Sequence, residues 1–422
     1  MNPETILGRE ENRMDKMLGI YIHIPFCASR CSYCDFYSVS GRDNLMDKYL
    51  NALLRHIEES STQMAPYYID TVYFGGGTPS YFGAERICEV FNALKTHGKV
   101  LKSAEVTVEL NPDSVTAAGL KLMRDEGINR LSIGLQSTND DILRLIGRRH
   151  TFKQAVNAIR LAQSEGFDNI SLDLIYGLPT QTRGDWADTL SKTVALRPQH
   201  LSCYGLKIEE GTPICAYRGG DMPTDDDQAD MYLYMAETLA DYGYPQYEIS
   251  NFSLPGFHSK HNLKYWDLDD YMGFGPGAHS SVGDIRYSYV RNVDAYISGV
   301  NGNDNIVDEY ERVSRLDRAS EYLMLGMRTM RGISKAEYTT IYRSDFSKIE
   351  YLLDEYEKKG WTERGKERWR FTSSGFLLSN ILIGTLLEAQ SQAKISANPW
   401  MAEAIGEEKP QPSAPSGGAN LG

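Results

Sequence analysis

Cys27, Cys31 and Cys34 form a C-x3-C-x2-C run, Cys27-Ala28-Ser29-Arg30-Cys31-Ser32-Tyr33-Cys34, just past Pro25. Three thiolates on one short loop can each hold one iron of a cubane cluster and leave the fourth iron open to an outside ligand. Two other readings fit the same residues: a zinc loop completed by His23 or Asp35, and a set of core cysteines without metal. A second constellation is Phe74-Gly75-Gly76-Gly77-Thr78-Pro79-Ser80. Glycines let the backbone approach a ligand closely, although a tight strand-to-helix turn would use the same residues. Further polar groups stand at or near the ends of apolar runs: Glu109, Gln136 and Asp173, with Arg148 following. Carboxylates can take hydrogen bonds from ribose hydroxyls, and an arginine can pair with a ligand carboxylate.

Such groups need a frame that gathers strand ends. From Leu18 to Gly205 the sequence alternates β-type runs with amphipathic helical ones. The strands are expected at Leu18–His23, Thr71–Phe74, Ala104–Glu109, Arg130–Leu135, Ile170–Ile175 and His200–Tyr204. The helices include Leu45–Glu59, Ala84–Leu94, Phe152–Glu165 and Trp186–Leu196. A strand spacing of roughly 30 residues suits βα units, giving either an open TIM-type barrel or a doubly wound sheet. Periodicity alone leaves both open. A helix at Asp226–Tyr242 then leads into a region rich in Gly, Asn, Tyr and His.

From Arg312 to Leu387 the pattern predicts a separate small domain. Its helices are Arg315–Met330, Phe346–Lys359 and Phe376–Leu387, with Ser334 as an N-cap, Gly360 as a C-cap and a hairpin over Trp361–Thr372. Helices plus a hairpin make an α+β, winged-helix-like arrangement. The net charge of −13 argues against a broad basic surface, so this domain reads as a packing lid and not as a DNA reader. Glu388–Gly422, rich in Ala, Ser, Gly, Pro and Glu, is expected to be disordered. No apolar run reaches the length of a spanning helix, and Met1–Lys16 is polar with mixed charge, which places the chain in the cytoplasm. There Cys88, Cys203 and Cys215 read as small buried residues.

Taken together, Tyr21-Ile22-His23-Ile24-Pro25-Phe26-Cys27, the cysteine loop, Gly75-Gly76-Gly77-Thr78-Pro79 and Asp173-Leu174-Ile175-Tyr176-Gly177-Leu178-Pro179 resemble the HemN/HemW group of radical S-adenosylmethionine (SAM) proteins. The resemblance runs from Leu18 to Leu387. It implies a partial (β/α)6 TIM-type barrel over 18–305 with a haem-associated extension. A HemN-type C-terminal domain follows over 306–387, flanked by an N-terminal extension, 1–17, and a tail, 388–422. One branch of the group, the oxygen-independent coproporphyrinogen III oxidases, carries a cysteine two positions after the last cluster ligand, where this chain has Phe36. The other branch, the haem chaperones, has a His-Asn-x-x-Tyr-Trp element, matched here by His261-Asn262-Leu263-Lys264-Tyr265-Trp266. Tyr247–Phe252 and Gly275-Pro276-Gly277-Ala278-His279-Ser280 also look like that branch.

The resemblance implies a [4Fe–4S] cluster on Cys27, Cys31 and Cys34, and SAM contacts from Tyr21, Tyr33, Gly76, Gly77, Thr78, Glu109, Gln136, Arg148 and Asp173. It implies haem as cargo, with His261 as the haem-associated residue and His258 and His279 as weaker candidates. Partners would be haem and haem-accepting proteins, with a homodimer and loose membrane association through acceptors as family-level expectations and no nucleic acid. Capacity for SAM cleavage is implied. The alternatives are the oxidase itself and another radical SAM enzyme acting on a tetrapyrrole.

Overall fold

The computed structural model describes residues 16–217, 219 and 221–397. Six strands fall where the β-type runs predict them: β1 (Lys16–Ile24), β2 (Tyr67–Gly76), β3 (Val100–Leu110), β4 (Arg130–Gln136), β5 (Ile170–Tyr176) and β6 (His200–Gly205). Six more follow: β7 (Gln246–Glu248), β8 (Asn251–Ser253), β9 (Tyr271–Phe274), β10 (His279–Val282), β11 (Ile285–Tyr289) and β12 (Val307–Arg312). All twelve join one sheet, in the order β12-β11-β10-β9-β1-β2-β3-β4-β5-β6-β8-β7. Strands β1 to β6 are parallel neighbours in chain order, and β9 adds a parallel partner to β1. A doubly wound sheet would reverse its strand order partway. Sequential order with no reversal is barrel winding, so the chain has the open, partial barrel.

Each of the six strands sorts its residues by face. In β1, Leu18, Ile20, Ile22 and Ile24 are fully buried and join the main core, while Tyr21 and His23 line a cavity. In β4, Leu131, Ile133 and Leu135 are buried in apolar surroundings, while Arg130, Ser132, Gly134 and Gln136 line the same cavity. Side chains alternate across a strand, so this period of two packs the apolar set on one face and turns the polar set to the other. The apolar face meets helices such as Met46–Glu59, which contributes Tyr49, Leu53 and Ile57 to the core. TIM barrels usually fill their interior with branched apolar residues. Here charged and polar side chains such as Arg130, Glu109 and Asp173 face inward onto a cavity of about 1070 Å³.

The C-terminal unit has the winged-helix order. Helix Arg315–Gly326 is followed by β13 (Ile333–Ser334), helices Lys335–Tyr342 and Ser347–Lys358, and the hairpin of β14 (Thr362–Arg364) and β15 (Arg368–Phe371). The Ser334 side chain accepts from the Glu337 amide, the expected N-cap. Gly360 takes a positive φ of 73° just past its helix.

Three boundaries differ from expectation. The helix starting at Arg315 ends at Gly326 and not Met330, because Thr329 bridges to Glu248 of β7. Strand β12 lies beyond the expected break at 305/306 yet pairs with β11, so it belongs to the large sheet. The expected helix Phe376–Leu387 is two, Ser373–Leu377 and Ser379–Ala397. The second runs past the boundary at 387/388, where Gln390 is buried and bonds the Tyr338 hydroxyl and the Ser320 hydroxyl. The remaining tail, 398–422, and the first fifteen residues lie outside the described residues.

Candidate functional site

The cysteine loop leaves the C-terminal end of β1 and is braced at its base. The Cys27 amide donates to the Val39 carbonyl (2.9 Å) and the Val39 amide to the Pro25 carbonyl (2.7 Å). The glycine-rich segment holds the loop from the β2 side. The Gly77 amide donates to Ile24 (2.8 Å) and the Thr78 amide to Phe26 (2.8 Å). A Cβ on Gly77 would stand 2.8 Å from the Phe26 carbonyl oxygen, so the missing side chain is what lets the two segments meet. Those two amides are therefore spent on the loop. Gly76, at φ 109°, turns its amide toward the Glu109 carboxylate.

All three cysteines and Tyr21, Tyr33, Gly76, Gly77, Thr78, Glu109, Gln136, Arg148 and Asp173 line the same large cavity. Arg148 crosses it. Its Nη2 donates to the Gly134 carbonyl (2.6 Å) and to Asn111 Oδ1 (2.8 Å), and its Nη1 approaches the Cys31 sulfur (3.7 Å). Its Nε is buried with no hydrogen-bond partner among the described residues. The Thr78 hydroxyl lies 3.4 Å from the Cys27 sulfur. Burial pushes the Cys27 and Cys34 thiols up, so a metal held by them would have to displace protons. Gln136 sits at φ 66° after a register shift at the end of β4, which turns it inward.

Two acids of the cavity, Glu109 and Asp173, are held back from ionising. Glu109 accepts from the Tyr73 hydroxyl (2.8 Å), yet burial, with the nearby Asp173 charge, pushes its carboxyl up to about 7. Burial also raises Asp173, although the Ser132 hydroxyl donates to both its oxygens (3.0 and 3.2 Å). The residues fit a cluster and a SAM molecule. Three sulfurs open on one cavity, a buried guanidinium nitrogen lacks a partner, and two carboxyl groups await a cationic neighbour.

The zinc alternative loses one fourth ligand. His23 Nδ1 meets the Tyr21 hydroxyl (3.1 Å) and Nε2 the Tyr37 carbonyl (2.9 Å), so the ring braces the cluster loop. Among the described residues, no three His, Cys, Asp or Glu side chains are drawn around one single-ion position.

His261 is the residue expected to be haem-associated. It is 1 % exposed and does not line the cavity. Its Nδ1 bonds the Thr71 hydroxyl and its Nε2 the Tyr265 hydroxyl, both at 2.8 Å, and its ring stacks on Tyr73. Burial pushes its imidazole down to about 3. With both nitrogens engaged, it has no lone pair free for haem iron in this structure. His258 is exposed, stacked on Tyr247 at 4.3 Å, and also outside the cavity. His279 does line it. Cys88 and Cys203 are buried as expected, but Cys215 is exposed.

Sequence reading missed Asn111 and Arg130. Asn111 links Thr78 to Arg148 (3.3 and 2.8 Å). Arg130 is 2 % exposed, with its Nε unpartnered among the described residues. The signal that could have found Arg130 is its place in the inward-facing alternation of β4 with Ser132, Gly134 and Gln136.

Comparison with known proteins adds the following. Residues 21–193 match the model of the radical SAM superfamily, and 313–378 match the HemN C-terminal domain. The haem chaperone HemW of Bacillus subtilis (strain 168) is 34 % identical over 379 residues, covering 88 % of this chain and 99 % of that protein. The haem chaperone HemW of Lactococcus lactis subsp. lactis (strain IL1403) is 33 % identical, covering 87 % and 96 %. That of Escherichia coli (strain K12) is 31 % identical, covering 88 % and 98 %. The solved structure of coproporphyrinogen III oxidase (HemN) from Escherichia coli, described as a radical SAM enzyme, superposes with a TM-score of 0.78. It covers 88 % of this chain and 90 % of that one at 24 % identity, a likeness of fold.

Proposed function

The chain belongs to the HemW family within the radical SAM superfamily, and from that premise we propose that it is a haem chaperone: it carries a SAM-ligated [4Fe–4S] cluster, binds haem as cargo and passes it to acceptor proteins. Cys27, Cys31 and Cys34 hold the cluster. When bound, the cluster and SAM together supply one-electron reductive chemistry at the SAM sulfonium. The chain's own residues bind and orient. Arg148, through its unpartnered Nε, takes the methionine carboxylate. Glu109 and Asp173 face the ribose and the cationic centre, the turn at Gly76 to Thr78 gives the ligand close access to backbone, and Tyr33 packs beside it.

The observation that carries this reading over the oxidase is identity of 31–34 % along nearly the whole length of several haem chaperones. Phe36, standing where the oxidases carry a further cysteine, agrees with it. No described helix is long and apolar enough to cross a membrane. A cytoplasmic chain that self-associates and meets membranes through its acceptors completes the proposal.

The test is anaerobic reconstitution with iron and sulfide, then haem titration and incubation with coproporphyrinogen III, SAM and reductant. Tight haem binding with no protoporphyrinogen is the expected outcome. Porphyrinogen oxidation without haem binding would replace the chaperone with the oxidase.

A further inference from the structure

Haem iron takes an axial ligand with a free lone pair that faces open space. Of the eight histidines in the chain, only His23 and His279 line the large cavity, and both nitrogens of His23 are committed to Tyr21 and Tyr37. His279, the first residue of β10, is exposed, and no hydrogen bond reaches its ring among the described residues.

Its surroundings suit a flat, dianionic ring. The turn before His279 packs on the far end of the cluster loop: a Cβ on Gly277 would lie 3.8 Å from Tyr37 Cβ and 3.4 Å from Arg291 Cγ. Arg291 donates to the Asp35 carbonyl (3.0 Å), and Arg30 donates twice to the Cys34 carbonyl (3.1 and 2.9 Å). Two guanidinium groups are thus anchored on adjacent carbonyls of the loop, and both line the cavity. Beside them Phe36 lines the cavity with 69 % of its surface exposed, a large apolar side chain with little packed against it. Along the sheet, Glu309 stands across from Ser288, which stands across from His279. Asp308 and Glu309 also line the cavity. Carboxylates there repel propionates and leave the arginine flank to receive them.

We propose that haem docks at the cavity mouth with His279 as axial ligand, Phe36 against the porphyrin face, and Arg291 and Arg30 on the propionates. The proposal rests on the chaperone reading and names the cargo site within it. It places the haem beside the cluster loop and away from His261.

The test uses the full, anaerobically reconstituted chain, titrated with haemin and followed by Soret absorbance and electron paramagnetic resonance. Wild type is compared with His279→Ala, His261→Ala and Arg291→Gln, with iron content and circular dichroism recorded for each. His279→Ala should lose the histidine-ligated spectrum and weaken binding by about tenfold or more, the size of one lost ligand contact. Added imidazole should restore its spectrum, which a merely structural defect would not allow. Arg291→Gln should weaken binding several-fold without changing the spectrum, and a folded His261→Ala should keep it. A folded His279→Ala with unchanged spectrum and affinity overturns this site, and so does loss of the spectrum in a folded His261→Ala alone; both leave the chaperone function standing. Wild type that binds no haem overturns the function as well.

Discussion

Glu109 at the end of β3 and Glu337 in the C-terminal unit each accept a hydrogen bond from a tyrosine hydroxyl, at 2.8 Å from Tyr73 and 2.7 Å from Tyr322. From there their surroundings diverge. Glu337 is clamped by Arg368 through both oxygens, and Arg331 adds a third contact at 3.0 Å. These partners, the Arg368 hydrogen bonds first, hold its carboxyl down at about 2. Glu109 shares its space with Asp173 and with an Arg130 that forms no ion pair among the described residues, and burial holds it up near 7. One region closes its charges on each other and gains stability. The other keeps its charges apart, which costs stability and leaves them open to a ligand.

The largest expected effect that sharpens this contrast is Cys31→Ala. Iron content and SAM binding should fall to background, while hydrogen exchange in the C-terminal helices stays at the wild-type rate. Retained iron at the wild-type level would break the reading of the loop as cluster ligands.

Next comes Glu337→Gln, expected to lower stability in urea unfolding at pH 7 by about 2 kcal/mol, with SAM binding unchanged. The folded carboxyl lies below its ordinary 4.5, so its contribution is complete above that pH and vanishes as pH falls through about 2. The gap between wild type and variant should close on acidification. A constant gap would show that packing and not charge sets the effect.

The smallest effect is on Glu109. Its folded carboxyl is raised, so its contribution to stability is complete below 4.5 and is lost as pH rises through about 7. Glu109→Gln should make the ligand-free protein more stable at pH 8 by about 1 kcal/mol. The same ionisation favours a sulfonium cation, so SAM should bind wild type more tightly at pH 8 than at pH 6, and Glu109→Gln should flatten that dependence in calorimetric titration. A wild-type affinity equal at the two pH values would remove Glu109 from the site.

Much of this was legible in the sequence because it is local. Cys27, Cys31 and Cys34 fall on one loop through spacing alone, and Gly76 and Gly77 are marked by the close approach they permit. The SAM candidates on β1 to β5 could be placed because each ends, or nearly ends, a strand. The burial of His261 away from the cavity was not legible for the converse reason. Its motif says nothing of Thr71, which is 190 positions away and takes its Nδ1. Arg130 was overlooked because a charged residue opening a strand reads as surface until the strand is enclosed.

By itself, then, the sequence determined the three-cysteine loop, the strand and helix pattern, and an alternation that sends apolar side chains to one face and polar ones to the other. These depend on covalent spacing and on the two-residue repeat of a strand. Only the tertiary structure decided that the sheet winds in sequential order, that Arg148 reaches from the loop following residues 140–145 to Cys31, and that His279 and Arg291 come to the cysteine loop while His261 turns away. Those outcomes join residues far apart in the chain, and they follow from strand order and from which buried polar groups find partners first.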